Sequence, residues 1–156
     1  MKFIVLALVI ALAVFYFTRN SSNKKLGLEN TVIAKDFLAA NKGNQEVIET
    51  ASGLQYQVLQ QGQGDTHPSV SSKVEVHYHG MLIDGTVFDS SVERGEPISF
   101  GLNQVISGWT EGVQLMVVGD KFKFFIPSEL GYGNRATGKI TPGSLLIFEV
   151  ELLAIQ

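Results

Sequence analysis

An alternation between residues 74 and 82 narrows the possible folds more than any other feature of the chain. Val74, Val76, Tyr78, Gly80 and Leu82 occupy every second position, with Glu75, His77, His79 and Met81 between them. That spacing belongs to a strand with one buried and one wet face. Asp84-Gly85 then signals a tight turn, because glycine takes positive φ without steric cost, and Thr86-Val87-Phe88 resumes a β-rich run. The pattern predicts a hairpin with Tyr78 and Phe88 near one another on its buried side. Asp89 follows where the strand gives way to polar residues. On these residues alone, aromatics that fill a core beside a turn-capping Asp89 explain the stretch as well as a binding site does.

The remaining periodicities build one domain around this hairpin. Leu54, Tyr56 and Val58 read as a first strand, and Ile98-Ser99-Phe100 returns to alternation. Phe122, Phe124 and Ile126 share a face until Pro127 ends the run, and Phe148, Val150 and Leu152 point inward while Glu149 and Glu151 face water. Val105, Trp109, Val113 and Met116 recur at helical spacing, with Asn103 as N-cap and Gly119 as C-cap. Strands with turns and one capped helix predict an α+β domain, an antiparallel sheet wrapped around one short helix. Residues 127–144 form a long glycine-rich connection, a kind of loop usually kept for function. Tyr132 between two glycines is presented rather than hidden. Gly131-x-Gly133-x-x-Ala136 fits a dinucleotide fingerprint only superficially, because Gly138, Pro142 and Gly143 prevent the helix that must follow.

The N-terminus has another character. Residues 3–17 are apolar throughout, a run longer than a secretory core needs and shorter than the ~20 residues of a full membrane span. The only small-x-small pattern, Ala11-Leu12-Ala13, lies inside the run and is followed by bulky residues, so an uncleaved membrane anchor is expected. Lys2 precedes the run while Arg19, Lys24 and Lys25 follow it, a count that leans toward a cytoplasmic C-terminal side. Leu28, Val32, Ile33, Phe37 and Leu38 predict a second, short amphipathic helix, started by Asn30 or Thr31 and stopped at Lys42-Gly43. The expected organisation is an anchor and flank over 1–27, a connector over 28–49 and a folded domain over 50–156.

Much chemistry is absent from this sequence. There is no cysteine, which removes disulfides and thiolate catalysis, and a net charge of −3 from 12 basic and 15 acidic side chains offers no basic face for nucleic acid. No G-x-S-x-G elbow, P-loop or H-E-x-x-H occurs. His77-x-His79, with only His67 beside it in the chain, reads as solvated strand residues rather than a metal pair. No metal or cofactor is expected.

The ordered blocks V-H-Y-x-G-x-L-x-D-G-x-x-F-D-S-S (76–91), G108-W109-x-E111-G112-V113, G131-Y132-G133 and L146-I147-F148-E149-V150-E151-L152-L153 closely resemble the FKBP-type peptidyl-prolyl isomerases over residues 50–156. The resemblance implies an FKBP-like fold and cis–trans isomerisation of X–Pro bonds in proline-containing polypeptides, in aid of folding, with macrolides as possible inhibitors. It assigns catalysis to Asp89, Tyr132, Tyr78, Phe88 and Phe148, and substrate binding to Trp109, Val105, Ile106, Ile98, Arg94 and Ile140. Trp109 would floor an open pocket, Tyr132 and the Ile106 backbone N–H would hold substrate carbonyls, and Asp89 would be steadied by Tyr78 and Arg94. The rival is a proline-segment-binding chaperone or adaptor module with little turnover. Ile98 and Gln104 depart from the phenylalanine and glutamate of well-known members. Residues 33–41 with 50–56 are similar to the tail of the connecting helix in macrophage-infectivity-potentiator-type isomerases. The apolar run occupies the place of their dimerisation helices, which implies a monomer held by a single-pass inner-membrane anchor. Similar bacterial isomerases favour the periplasmic side.

Overall fold

The computed structural model describes residues 2–156. It opens on one helix, α1 (Lys2–Asn41), where an anchor and a separate connector helix were expected. Asn30 and Thr31 start nothing. The Asn30 amide donates to Thr141 Oγ1 and the Pro142 carbonyl, and the Thr31 hydroxyl bonds back to the Gly27 carbonyl inside the helix. Among the described residues no helix is long and apolar enough to cross a membrane, so the expected membrane-spanning helix is not supported. The first side chains of the apolar run, residues 3–6, lie outside the described part.

The strands are β1 (Val47–Glu49), β2 (Gln55–Gln60), β3 (Lys73–Met81), β4 (Val87–Ser90), β5 (Ile98–Gly101), β6 (Lys121–Ile126) and β7 (Leu146–Ile155). They make one antiparallel sheet in the order β1-β2-β6-β7-β3-β4, with β5 also paired to β3. β3 and β7 form its centre, from Val74 opposite Ile155 to Met81 opposite Ile147. A single helical turn, α2 (Ser91–Arg94), is capped by the Ser90 hydroxyl and closed by Gly95 at φ +73°. Helix α3 (Ser107–Val113) packs on one face of the sheet against Phe124 and Ile126, and the α+β expectation holds.

Close approach explains why α3 sits where it does. A Cβ on Gly108 would stand 2.6 Å from Ile126, and one on Gly112 would stand 2.6 Å from the Phe124 ring. The two glycines let the helix backbone rest on β6. Asn103 does not cap α3; it belongs to a tight turn at Leu102–Gln104, and the helix begins at Ser107. Gly119 lies beyond α3, and its N–H bonds to the Leu152 carbonyl. The main core includes Leu54, Trp109, Phe124, Leu146, Phe148 and Val150.

A second cluster, Ala34, Phe125, Leu145 and Ile147, lies on the other face of the sheet beneath α1. The connector region therefore does pack on its own domain, but largely not through the predicted stripe. Leu28, Val32 and Ile33 are 64%, 59% and 53% exposed, while Gly27 and Ala34 are buried. A helix lying this close to a sheet and loop excludes large side chains from its contact line. Gln55, a polar residue on β2 next to Leu54, is fully buried there. Its amide donates to the Leu38 carbonyl and Glu49, and its oxygen accepts from Asn41, which satisfies the group.

Candidate active site

The central hairpin does more than join two strands. In β4 the register against β3 slips, with Asp89 opposite Gly80 and Val87 opposite Met81, which leaves Phe88 as an extra residue. Successive strand residues normally point to opposite faces, and a bulge cancels that rule locally. Phe88 and Asp89 consequently reach the same cavity. Gly80 faces both Asp89 on β4 and Phe148 on β7. Its missing side chain is a requirement: a Cβ there would stand 2.7 Å from both the Phe148 and Phe88 rings.

The cavity has a volume of about 720 Å³ and opens to solvent. Trp109, 5% exposed, meets Tyr78 edge-to-face at 5.3 Å between ring centroids and Phe148 at 5.1 Å. Phe88 stands edge-on to Phe148 at 5.3 Å. Phe148 is thus the ring that joins Tyr78 and Phe88, which the sequence reading had set beside one another. Each perpendicular contact suits the aromatic quadrupoles and adds about 0.5–1.5 kcal/mol to simple burial. The result is a rigid apolar wall. Trp109 Nε1 is buried and finds no hydrogen-bond partner among the described residues.

Ile98, Val105 and Ile106 also line the cavity, and the 131–144 loop supplies Tyr132 and Ile140 to it. Arg94 alone among the expected residues does not line the cavity. It binds from the rim instead, donating to Asp89 and to the Tyr78 hydroxyl, with its guanidinium 5.8 Å from the Tyr78 ring centre. The Tyr78 hydroxyl also donates to Asp89. Phe100, Arg135, Thr137 and Lys139 line the cavity too and were not foreseen. Phe100 shows only its strand period in the sequence, and the loop residues carry no local signal. His77 and His79 are half-buried and meet the hydroxyls of Ser91 and Ser90 at 2.9 Å, rather than standing free in solvent.

Charge at the edge is balanced. Burial pushes the Asp89 carboxyl up, but hydrogen bonds from Tyr78 and Arg94 together with the guanidinium charge outweigh it and hold the group below the usual carboxylate range. Burial, with help from Asp89, raises the Tyr78 phenol. The sign follows directly. A carboxyl depressed in the folded state stabilises fully above its unfolded pKa, about 3.9, and loses that contribution as pH falls through the lower folded value. The melting-temperature difference between the natural chain and Asp89→Asn should stay constant from pH 8 to about 4 and close only below that. A thermal-melt series across pH checks it, and a difference that closes near pH 6 would contradict the assignment.

The comparisons with known proteins agree with this geometry. Residues 64–153 match the family described as FKBP-type peptidyl-prolyl cis-trans isomerase, and residues 11–58 match the domain amino terminal to it. The chain is 56% identical over 132 residues to the FKBP-type peptidyl-prolyl cis-trans isomerase FkpA of Aeromonas hydrophila, covering 85% of this chain and 49% of that one. It is 42% identical over 139 residues to the outer membrane protein MIP of Legionella longbeachae, covering 88% and 59%. The crystal structure of FkpA from Escherichia coli superposes with a TM-score of 0.91 at 38% identity, covering 98% of this chain and 71% of that one. The chain belongs to the FKBP-type peptidyl-prolyl isomerase family. It spans 49% and 59% of the two curated relatives just named.

Proposed function

We propose that this chain accelerates rotation about X–Pro peptide bonds in polypeptide substrates and so assists their folding. The observation that carries the reading is the open aromatic box of Trp109, Phe148, Phe88 and Tyr78, faced by Tyr132 and Ile140. A pyrrolidine ring is apolar and brings no N–H donor, so such a box receives it without an unmet hydrogen bond. Rotation must break amide resonance, at about 18–20 kcal/mol. The twisted amide is less polar than the planar one, so a dry site favours the transition state over the ground state. Tyr132 and the Ile106 backbone N–H hold the substrate carbonyls, and the Asp89–Tyr78–Arg94 triangle keeps the pocket edge in place. No nucleophile or cofactor enters the scheme.

An NMR exchange or protease-coupled assay of the full chain on a short X–Pro peptide tests it. Faster exchange that a macrolide blocks supports the reading, and binding without faster exchange would leave only a proline-segment-binding module. Asp89→Ala and Tyr132→Phe should each lower kcat/KM roughly tenfold without abolishing turnover, because one hydrogen bond contributes only about 1–2 kcal/mol.

The same proposal holds the domain at a membrane through residues 3–17, as a single copy on the periplasmic side. Support comes from Leu8, Phe15, Tyr16 and Phe17, which are 59–70% exposed and lack a place in the domain's core. A relative's name, outer membrane protein MIP, points to the envelope. Release of the full chain from cell membranes by alkaline carbonate would overturn the anchoring.

A further inference from the structure

We propose that Asn30, on the N-terminal helix, is a positioning residue of the isomerase pocket, and this inference rests on the function proposed above. The loop that closes the cavity leaves the sheet after β6 and returns at β7, and it carries Tyr132 and Ile140 to the site. Its base is held by Gly143 N–H to the Gly133 carbonyl at 2.9 Å, and its tip by the reciprocal pair between Thr137 and Ile140 at 2.9 Å. Between base and tip lie Thr141 and Pro142. Both are held from outside the loop: Asn30 donates to Thr141 Oγ1 at 3.0 Å and to the Pro142 carbonyl at 2.8 Å, across 111 and 112 positions of sequence. Thr141 Oγ1 in turn meets the Ser144 hydroxyl at 2.8 Å.

The helix backbone comes close enough for this only because of two glycines. A Cβ on Gly27 would stand 3.2 Å from Asn134 Oδ1 and 3.4 Å from Pro142 Cβ, and Gly143, at φ +71°, packs against the Gly27 carbonyl. Thr141, bonded by Asn30, is the immediate chain neighbour of the wall: Ile140 precedes it on the tip side and is 6% exposed in the cavity lining. A glycine-rich loop cannot hold an aromatic at sub-ångström precision by its own stiffness. The helix supplies that stiffness through two amide hydrogen bonds. Placement of Tyr132 and Ile140 is therefore coupled to α1, the element that also carries the exposed apolar run.

The test uses the full chain held in detergent micelles. Asn30→Ala should lower kcat/KM on an X–Pro peptide about five- to tenfold. Asn30→Asp keeps the shape, removes both donors and sets a carboxylate against the Pro142 carbonyl, so it should do at least as much harm. Combined with Tyr132→Phe, Asn30→Ala should cost much less than the product of the two single losses, because both act through one loop. Hydrogen exchange should quicken at the Ile140 and Gly143 amides and stay unchanged in β6 and β7, which a general loss of stability would not do. Full activity in Asn30→Asp, strictly multiplicative losses, or exchange that quickens evenly across the sheet would each overturn the proposal. Absence of turnover in the natural chain would instead sink the function on which it rests.

Discussion

Replacing Gly80 by alanine is expected to lower kcat/KM on an X–Pro peptide by about a hundredfold. The added Cβ would stand 2.7 Å from ring carbons of both Phe88 and Phe148, closer than carbon atoms can approach, so both rings must shift by roughly 1 Å. Displacement of that size at a reacting centre can cost about 10²-fold. Stability should move far less, because alanine is favoured over glycine inside a strand by about 0.5–1 kcal/mol, which offsets part of the repacking. Activity and stability therefore separate. Steady-state assay beside a thermal melt of Gly80→Ala measures both, and unchanged kcat/KM would show that turnover does not depend on how Phe88 and Phe148 are set.

The second large effect is expected from Phe148→Trp, at ten- to a hundredfold in kcat/KM. Phe148 is 5% exposed and touches Tyr78, Phe88 and Trp109, so a larger ring has no free volume on the core side and must push into the cavity. Overpacking of this kind costs about 1–3 kcal/mol. The comparison with Asp89→Ala decides between mechanisms. A millionfold acceleration requires about 8 kcal/mol, well beyond what one carboxylate's hydrogen bonds deliver, whereas the shape and dryness of the box act on the whole amide. Kinetics of the two variants side by side should put Phe148→Trp lower. Loss of all turnover in Asp89→Ala with an intact fold would instead assign the chemistry to the carboxylate.

These expectations draw on unequal amounts of sequence information. The β3–β4 hairpin was legible because side-chain alternation and the Asp84-Gly85 turn are local properties of the backbone; Gly85 takes φ +87° and the Leu82 N–H bonds to the Thr86 carbonyl. Convergence of Trp109, Tyr132 and Phe148 was legible only from the order of motifs resembling a known family. Nothing in their spacing brings them together. The bulge at Phe88 was not legible, since alternation alone sends Phe88 and Asp89 to opposite faces. The start of α3 was also misplaced, because Asn103 has the chemistry of a cap but the helix begins where Gly108 and Gly112 meet β6.

Apart from β1, which falls inside the expected connector, the amino-acid sequence by itself determined the strands, the Asp84-Gly85 turn and the residues able to wall an apolar site. Each of these follows from a side chain and its near neighbours. Tertiary structure alone decided that one helix replaces two, that its small residues rather than Leu28, Val32 and Ile33 meet the domain, that Gln55 is buried, and that Asn30 reaches Thr141 and Pro142. Those outcomes depend on how closely surfaces distant in sequence can approach, a matter of excluded volume and hydrogen-bond satisfaction that no local pattern encodes.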